Sequence, residues 1–352
     1  MAAPSMPRFL RPFLALIAVL AIMAAGCSPA ATTAPQTAEP GATEIIPSAP
    51  PPTAVAAFPI TLTDDEGTSV TIPAKPTKIV SLTPATTETL FAIGAGPQVV
   101  GKVQDTASYP PEAAGVPEVA TYNGVDVEKI IASGADLVIS GGKGLTQGDA
   151  DTQLRAAHIP VLVSYPTTIA GALAGIKQIG QAVGLPDAAN TLVDSMNSNL
   201  EELTTLAATA TSQPRLFYEI DITGGIFTPP ADSIYGEMFA RAGATPIAGD
   251  ANYSISLENL VAADPEVILL GDGAYGVTPA SVGKRTGWGG MTAVKTKRIY
   301  VVDDIVITRP GPRLVDGLYA LINAIHPELN ACAVMTPPMP CPTPAGPLAS
   351  TK

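Results

Sequence analysis

The feature that most constrains the fold of this chain is a phrase that occurs once in each half. DVEKIIASGADLVIS occupies residues 126–140, and SLENLVAADPEVILL occupies residues 256–270. In register, Glu128 aligns with Glu258, and each copy ends in a short apolar run. A capping residue before a helical pattern and an apolar run after it predict a helix followed by a strand. The repetition therefore predicts two related α/β units.

Short apolar strands alternate with helical segments on both sides of this phrase. In the first half, strands are predicted at 77–82, 99–103, 137–140 and 160–163, with helices at 86–93, 127–133 and around Leu154. In the second half, strands are predicted at 215–220, 267–270 and 298–302, with helices at 234–241 and 257–263. Strands that alternate with helices form parallel sheets. The expected fold is therefore α/β, with two Rossmann-like lobes.

One long helix is predicted between the two lobes, within residues 185–210. Apolar residues recur there at helical spacing, and Pro186 and Asp187 suit the first turn of a helix. A helix of this length reaches about 30 Å, roughly the width of a domain. It would join the lobes and limit how far they separate. The alternative is a core helix that belongs to one lobe.

Both termini predict segments that lie outside the folded body. Residues 1–26 resemble a signal peptide, with Arg8 and Arg11 before a short uncharged apolar run. Cys27 follows AAG, which resembles a bacterial lipobox, and is the expected lipidation site. Residues 27–57 are rich in Pro, Ala and Thr and are expected to be a disordered tether. Residues 330–352 form a Pro-rich tail in which Cys332 and Cys341 are free to pair or to remain thiols.

Composition narrows the classes of function. The net charge of −12 argues against nucleic acid or an anionic membrane surface as the main partner. Two histidines are too few for a histidine-built metal site, so no metal site is predicted. The sequence has no G-x-S-x-G, H-E-x-x-H or C-x-x-C motif, which disfavours an enzyme. An extracytoplasmic hydrolase and a structural lipoprotein remain as minor alternatives.

A ligand cleft is expected at the carboxyl ends of the predicted strands, where open α/β sheets bind ligands. Thr83 and Gly141 stand at two of these ends. Aromatic residues are scarce, at 5%, and five of them fall in predicted loops where they suit stacking on a large flat ligand. These five are Tyr122, Phe227, Tyr253, Tyr275 and Trp288.

Several segments together resemble the substrate-binding proteins of ABC importers for cobalamin, ferric siderophores and haem. The resemblance rests on FPITLTDDEGTSVTIPAKPTKIVSLTPATTETLFAIGAGPQVVG, ASYPPEA, VEKIIASGADLVIS and TRPGPRLVDGLYALINAIHPE, in that order. It implies an N-terminal lobe at 58–184 and a C-terminal lobe at 211–329, with a ligand cleft between them. It also implies a monomer without a cofactor, anchored outside the cytoplasm, that serves a permease dimer and its ATPase subunits.

The resemblance also assigns roles to individual residues. Tyr122 and Phe227 match aromatic positions of the cleft, and Arg309 in TRPGPR matches an arginine that contacts ligand. Its guanidinium suits carboxylate, phosphate or amide oxygens. Arg285 is a weaker ligand candidate, and Arg313 is expected to make a structural pair. Cobalamin is the first choice of ligand, with a ferric siderophore or haem as the alternatives.

Glu128 and Glu258 admit two interpretations. Each stands two residues after a capping residue, where a carboxylate interacts favourably with the helix dipole. That effect alone does not require the same position in both lobes. In the family, glutamates at these positions meet arginines on the permease, so the resemblance predicts that both residues dock there.

Overall fold

The computed structural model describes residues 57–145, 148–329 and 331. The predicted signal peptide, Cys27, nearly all of the tether and both tail cysteines lie outside these residues. Within the described part, no helix combines the length and the apolar character needed to cross a membrane.

The N-terminal lobe is built on a six-stranded sheet. Its strands run in the spatial order β6-β5-β4-β3-β7-β8, and all neighbours are parallel except β5 and β6. A separate antiparallel hairpin, β1-β2, precedes it. The strands are β1 Ile60–Thr63, β2 Ser69–Ile72, β3 Ile79–Ser81, β4 Val99–Val103, β5 Glu118–Thr121, β6 Gly124–Val125, β7 Leu137–Ser140 and β8 Val161–Val163.

Helices cover this sheet and then lead out of the lobe. They are α1 Pro84–Ala92, α2 Val127–Ser133, α3 Gly142–Leu145, α4 Ala150–Ala156, α5 Ile169–Ala182 and α6 Pro186–Ala207. Asp126 caps α2 by accepting a hydrogen bond from the Lys129 amide at 2.9 Å. Gly134, at a φ of 70°, ends α2 in the left-handed conformation that glycine adopts at lowest cost.

The C-terminal lobe repeats this construction on a smaller scale. Its four-stranded parallel sheet has the order β10-β9-β11-β12. The strands are β9 Arg215–Glu219, β10 Thr245–Pro246, β11 Val267–Leu270 and β12 Ile299–Val301. The helices are α7 Ile234–Arg241, α8 Leu257–Ala263, α9 Pro279–Val282, α10 Thr292–Thr296, α11 Asp304–Thr308 and α12 Leu314–Ile325.

Helix α6 bridges the lobes, as the apolar spacing predicted. Its buried face carries Val193, Met196, Leu200 and Leu203, and it packs against α5 on one side and α12 on the other. Gly180 lets α5 approach closely, because a Cβ there would lie 2.3 Å from the Cβ of Ala189. One hydrophobic core runs from the N-terminal sheet through α6 into the C-terminal sheet. The predicted class, two Rossmann-like lobes joined by a long helix, is confirmed.

Candidate functional site

A cavity of about 460 Å³ lies between the lobes. Both lobes contribute to its wall, as expected for a cleft at the carboxyl ends of parallel strands. The volume is typical of small-molecule pockets. Its lining comprises Thr83, Pro84, Ala85, Thr86, Thr89, Leu145, Ser164, Tyr165, Pro166, Thr167, Ala172, Gly175, Ile176, Ile179, Pro230, Asp232, Ser233, Ile234, Tyr235, Tyr253, Thr308, Arg309 and Pro310.

The N-terminal wall is formed by the start of α1 and one face of α5. Thr83 follows β3 and caps α1, because its hydroxyl accepts a hydrogen bond from the Thr86 amide at 3.2 Å. Its hydroxyl also donates to the Thr86 hydroxyl at 2.8 Å. Ile176 and Ile179 of α5 supply an apolar surface beside these hydroxyls. This wall combines a fixed polar edge with an apolar floor.

The C-terminal wall depends on a tight turn that presents Tyr253. Asp250 holds the turn by accepting hydrogen bonds from the Asn252 and Ser254 amides, at 2.8 and 2.9 Å. Tyr253 sits at its tip with a φ of 61°, and the residue is 38% exposed. Phe227 does not line the cavity itself but pairs with Ser254 through a backbone bridge. Phe227 therefore supports the turn that carries Tyr253.

A buried cluster of four charges ties the lobes together beside the cavity; we call it the interlobe ion cluster. Arg309 donates to Glu88 at 2.8 Å and to both Asp105 oxygens at 2.8 and 2.5 Å. Arg313 donates to Glu88 at 3.0 and 2.6 Å and lies over the Tyr109 ring at 4.1 Å. Glu88 and Asp105 belong to the N-terminal lobe, and both arginines belong to the C-terminal lobe.

The cluster is electrostatically balanced within itself. Burial raises the pKa of Asp105, but the Arg309 guanidinium and the backbone amides of Ala107 and Tyr109 together outweigh that effect and keep the net pKa below its usual value. Burial lowers the pKa of Arg309, yet its hydrogen bonds to Asp105 and Glu88 raise the net value, so it stays protonated. Arg309 lines the cavity, but its guanidinium is committed to carboxylates of the other lobe, so its contact with ligand stays a prediction.

The phenol groups of Tyr235 and Tyr253 at the cavity remain uncharged at physiological pH. Burial is the main reason that the pKa of Tyr235 rises to about 12. Burial also raises the pKa of Tyr253, and the negative charge of the nearby Asp232 adds to that rise. These phenols therefore offer neutral hydroxyl groups for hydrogen bonding.

The other predicted ligand residues lie off the cavity. Gly141 stands behind Thr83, where a Cβ would come within 2.9 Å of the Thr83 methyl carbon. Tyr122 is 80% exposed and Tyr275 is 89% exposed, and neither lines the cavity. Trp288 is buried, at 2%, and packs edge-on against Phe217 with Arg285 over its ring. The expectation that Trp288 contacts ligand from a loop is corrected by this placement in the core.

Arg285, the weaker ligand candidate, is also committed inside its lobe. It forms a two-pronged ion pair with Glu219, at 2.5 and 2.8 Å, and Glu219 is fully buried. The buried tryptophan and this ion pair belong to one packed unit behind the C-terminal sheet.

Most lining residues were absent from the predicted set, among them the polar side chains of Tyr165, Asp232 and Tyr235. Tyr165 follows the carboxyl end of β8, so the strand-end argument would have found it had it been applied to every strand. Tyr235 lies in the first turn of a predicted helix. An aromatic residue on the inner face of a helix shows the same sequence pattern whether it lines a cavity or packs in the core. Asp232 stands just before that helix and gives no pattern of its own.

The two repeated glutamates occupy equivalent places at the surface. Both are exposed in the first turn of their helices, α2 and α8, after the capping residues Asp126 and Ser256. Neither forms an ion pair with the residues that the structure describes. Glu128 borders a shallow hollow of about 540 Å³ that also contains Asp126 and Asp149.

Comparison with known proteins places this architecture in one family. A model described as periplasmic binding protein matches residues 79–306. An uncharacterized ABC transporter substrate-binding lipoprotein, YvrC of Bacillus subtilis, is 36% identical over 277 residues, which is 77% of this chain and 87% of that protein. A cobalamin-binding protein of Halobacterium salinarum is 27% identical over 76% of this chain and 74% of that protein.

A solved structure agrees with these sequence relatives. The structure of a possible iron-binding (periplasmic solute-binding) protein from Staphylococcus epidermidis superimposes with a TM-score of 0.65 at 26% identity. The match covers 72% of this chain and 100% of that one. The extent of the family match, the two bridged lobes and the cavity between them agree, and the chain belongs to the periplasmic binding protein family.

Proposed function

We propose that this protein captures cobalamin or a related corrinoid outside the cytoplasm and delivers it to a membrane permease. The family is one of substrate-binding proteins for transport, which makes this chain the substrate-binding component of an ABC importer. The observation that carries the proposal is a cavity lined by both lobes at the carboxyl ends of their strands. The cobalamin-binding relative of Halobacterium salinarum supports the choice of ligand.

A ferric siderophore or haem is the alternative ligand of the same cavity. The Staphylococcus epidermidis relative, a possible iron-binding protein, supports this second choice. Cleft loops vary freely on one scaffold, so relatives with the same fold bind different molecules. The cavity itself offers tyrosines and threonines that suit a large ligand with many hydrogen-bonding groups.

The experiment that decides is a visible absorption spectrum of the full-length protein purified with its native ligand. Corrinoids, ferric siderophores and haem absorb differently, so the spectrum identifies the class directly. Titration with cyanocobalamin should then saturate at one ligand per chain. If only haemin or only a ferric siderophore saturates the protein, that molecule is the ligand and the corrinoid is not. If none of the three binds, the proposal is overturned.

A matched pair of variants tests the location of the site. Tyr253→Ala removes an aromatic ring from the cavity wall and should weaken binding about tenfold, the scale of a well-placed interface aromatic. Tyr275→Ala removes an exposed ring that does not line the cavity and should leave the affinity unchanged. Equal ligand affinities of the two variants would contradict the placement of the binding site in this cavity.

The proposed partner is a permease made of two identical subunits with its ATPase subunits. Glu128 and Glu258 are the proposed docking points, because related lobes that each present an exposed carboxylate match a two-fold symmetric partner. Docking through these groups would be electrostatic and would position the cleft over the permease.

The proposed location is the outer face of the cell membrane, with lipid on Cys27 as the anchor. The relative from Bacillus subtilis carries the name lipoprotein, which supports this proposal. Cys27→Ser should release the protein from the membrane fraction and abolish labelling by a radioactive fatty acid. A variant that still carries lipid and sediments with membranes would rule the anchor out.

A further inference from the structure

Formal charges are almost absent from the wall of the interlobe cavity. Among its described lining residues, Arg309 is the one cationic side chain and Asp232 is the one anionic side chain. Arg309 is only 13% exposed and is occupied by Glu88 and Asp105. Asp232 is exposed and makes no ion pair with described residues. The charge that a ligand meets is therefore that of a single carboxylate.

Releasing Arg309 for an anionic ligand would be costly. Its withdrawal would leave Asp105 without its counter-charge and Glu88 with Arg313 alone, and both carboxylates are almost completely buried. A buried charge that loses its partner is strongly unfavourable. Arg309 therefore stays in the interlobe ion cluster and does not supply a counter-charge for an anion in the cavity.

Hydroxyl groups take the place of charges on the wall. Ten lining side chains carry one: Thr83, Thr86, Thr89, Ser164, Tyr165, Thr167, Ser233, Tyr235, Tyr253 and Thr308. A hydroxyl group can both donate and accept a hydrogen bond. It can therefore pair with the amide groups of a corrinoid and with the hydroxamate groups of an iron chelate. A carboxylate or catecholate group, by contrast, keeps a desolvated charge that no cation of the wall offsets.

We propose that this cavity selects its ligand by charge: it takes an uncharged or cationic ligand rich in amide or hydroxamate groups and discriminates against anionic ones. Neutral corrinoids and cationic hydroxamate chelates of iron satisfy this rule. Haem with free propionates and iron complexes of catecholates do not. The inference rests on the proposed function, since it concerns the ligand of the same cavity.

The test compares ligands that differ in charge but hardly in shape. Full-length protein is titrated with cyanocobalamin and with its monocarboxylic acid, in which one side-chain amide has been hydrolysed. Ferrioxamine B and its N-succinyl form make a second pair, and haem dimethyl ester and haemin make a third. In every pair that binds, we expect the form with the added carboxylate to bind at least about tenfold more weakly, a difference of about 1.4 kcal/mol.

Variants of Asp232 connect the discrimination to the cavity wall. Asp232→Lys should reduce the affinity gap within each pair or reverse it, because it replaces the wall carboxylate with an ammonium group. Asp187→Asn removes an exposed carboxylate on α6, away from the cavity, and should leave the gap as it was.

Equal or tighter binding of the carboxylate forms would overturn the charge rule and leave the proposed function standing. An unchanged gap in Asp232→Lys would also overturn it, because the discrimination would then not come from this wall. If no member of the three pairs binds, the proposed function fails and the charge rule fails with it.

Discussion

The two lobes agree where they face outward and differ where they face each other. In both, a capped helix that begins with an exposed glutamate leads into a fully buried strand: α2 with β7, and α8 with β11. At the cleft the resemblance ends. The N-terminal lobe contributes Glu88 and Asp105, and the C-terminal lobe contributes the arginines that neutralise them.

This difference suggests separate roles for the outward-facing surfaces and for the edges at the cleft. A pair of equivalent outward positions suits a partner with two-fold symmetry, so repetition there has a use. A cleft that binds an asymmetric ligand has no need of such repetition, and complementary charges on its two sides favour one lobe arrangement over others. The duplicated framework thus carries the proposed docking surface, while the diverged edges carry the cavity wall and the interlobe ion cluster.

The largest expected effect concerns the symmetric surface. Replacing Glu128 and Glu258 together by Ala should reduce reconstituted ligand uptake to near background, because both proposed docking carboxylates are lost. Ligand affinity and folding should stay nearly unchanged, since exposed carboxylates contribute little to stability. The measurements are uptake into proteoliposomes that contain the permease and ligand affinity of the same double variant.

A charge-matched control separates docking from general electrostatics. Glu201→Ala with Glu202→Ala removes two exposed carboxylates from α6 and should leave uptake intact. Each single docking variant should retain intermediate uptake, because the other lobe still docks. Full uptake by the Glu128 and Glu258 double variant would return both residues to the role of helix-start charges.

The next largest effect concerns the asymmetric edge. Arg309→Ala should lower the free energy of unfolding by about 3–5 kcal/mol, because it leaves two buried carboxylates without a full complement of charge. Urea unfolding of the ligand-free protein measures the loss. A change below about 1 kcal/mol would show that the interlobe ion cluster does not hold the lobes together.

Two further variants provide comparisons for the loss of unfolding free energy expected in Arg309→Ala. Arg241→Ala breaks a half-exposed pair with Glu237 one helical turn away and should cost less than about 1 kcal/mol. Adding Asp105→Asn to Arg309→Ala should recover part of the loss, since Asp105 makes its one ion pair within the described residues to Arg309. A strictly additive double variant would argue against direct coupling between them.

Periodicity predicted the regular elements well, because a repeated apolar spacing depends only on local sequence. Helices α2, α7 and α8 and strands β4, β7 and β11 have the predicted bounds. Helix α5 was overlooked, although it forms the apolar floor of the cavity. Three glycines interrupt it, which weakens a helical pattern whose stability comes from packing on α1 and α6.

The site was harder to predict than the fold, for a physical reason. Whether a loop aromatic reaches the cleft depends on how distant turns fold, so Tyr253 and Trp288 gave the same sequence signal and have opposite surroundings. The sequence motif drew attention to Arg309, but the carboxylates that bind its guanidinium, Glu88 and Asp105, lie in the other lobe and far away in sequence. Ion pairs between distant residues leave no spacing that a single sequence reveals.

The smallest expected effect tests two neighbouring buried acids of the C-terminal lobe, Asp272 and Glu219. Asp272 is 4% exposed, and neither of its oxygens has a hydrogen-bond partner among the described residues when both acids are ionised. Burial and the nearby charge of Glu219 raise the pKa of Asp272 to about 7, against the opposing effect of Arg285. A proton on Asp272 would supply the missing hydrogen bond, with Glu219 as the acceptor.

The sign of the resulting pH dependence follows from the raised pKa. Between the ordinary value of 3.8 and about 7 the folded protein holds a proton on Asp272 that the unfolded chain has released, so this group makes stability fall as pH rises. Asp272→Asn mimics the protonated acid and should flatten that slope, with a gain of about 1–3 kcal/mol at pH 8, the scale of an unsatisfied buried polar group. Asp187→Asn, an exposed control, should preserve the slope.

Urea unfolding from pH 4 to pH 8 measures the stability of wild type and of both variants. Parallel slopes for wild type and Asp272→Asn would show that Asp272 is ionised throughout this range. In that case the buried acid pair carries no proton, and Arg285 alone balances both carboxylates.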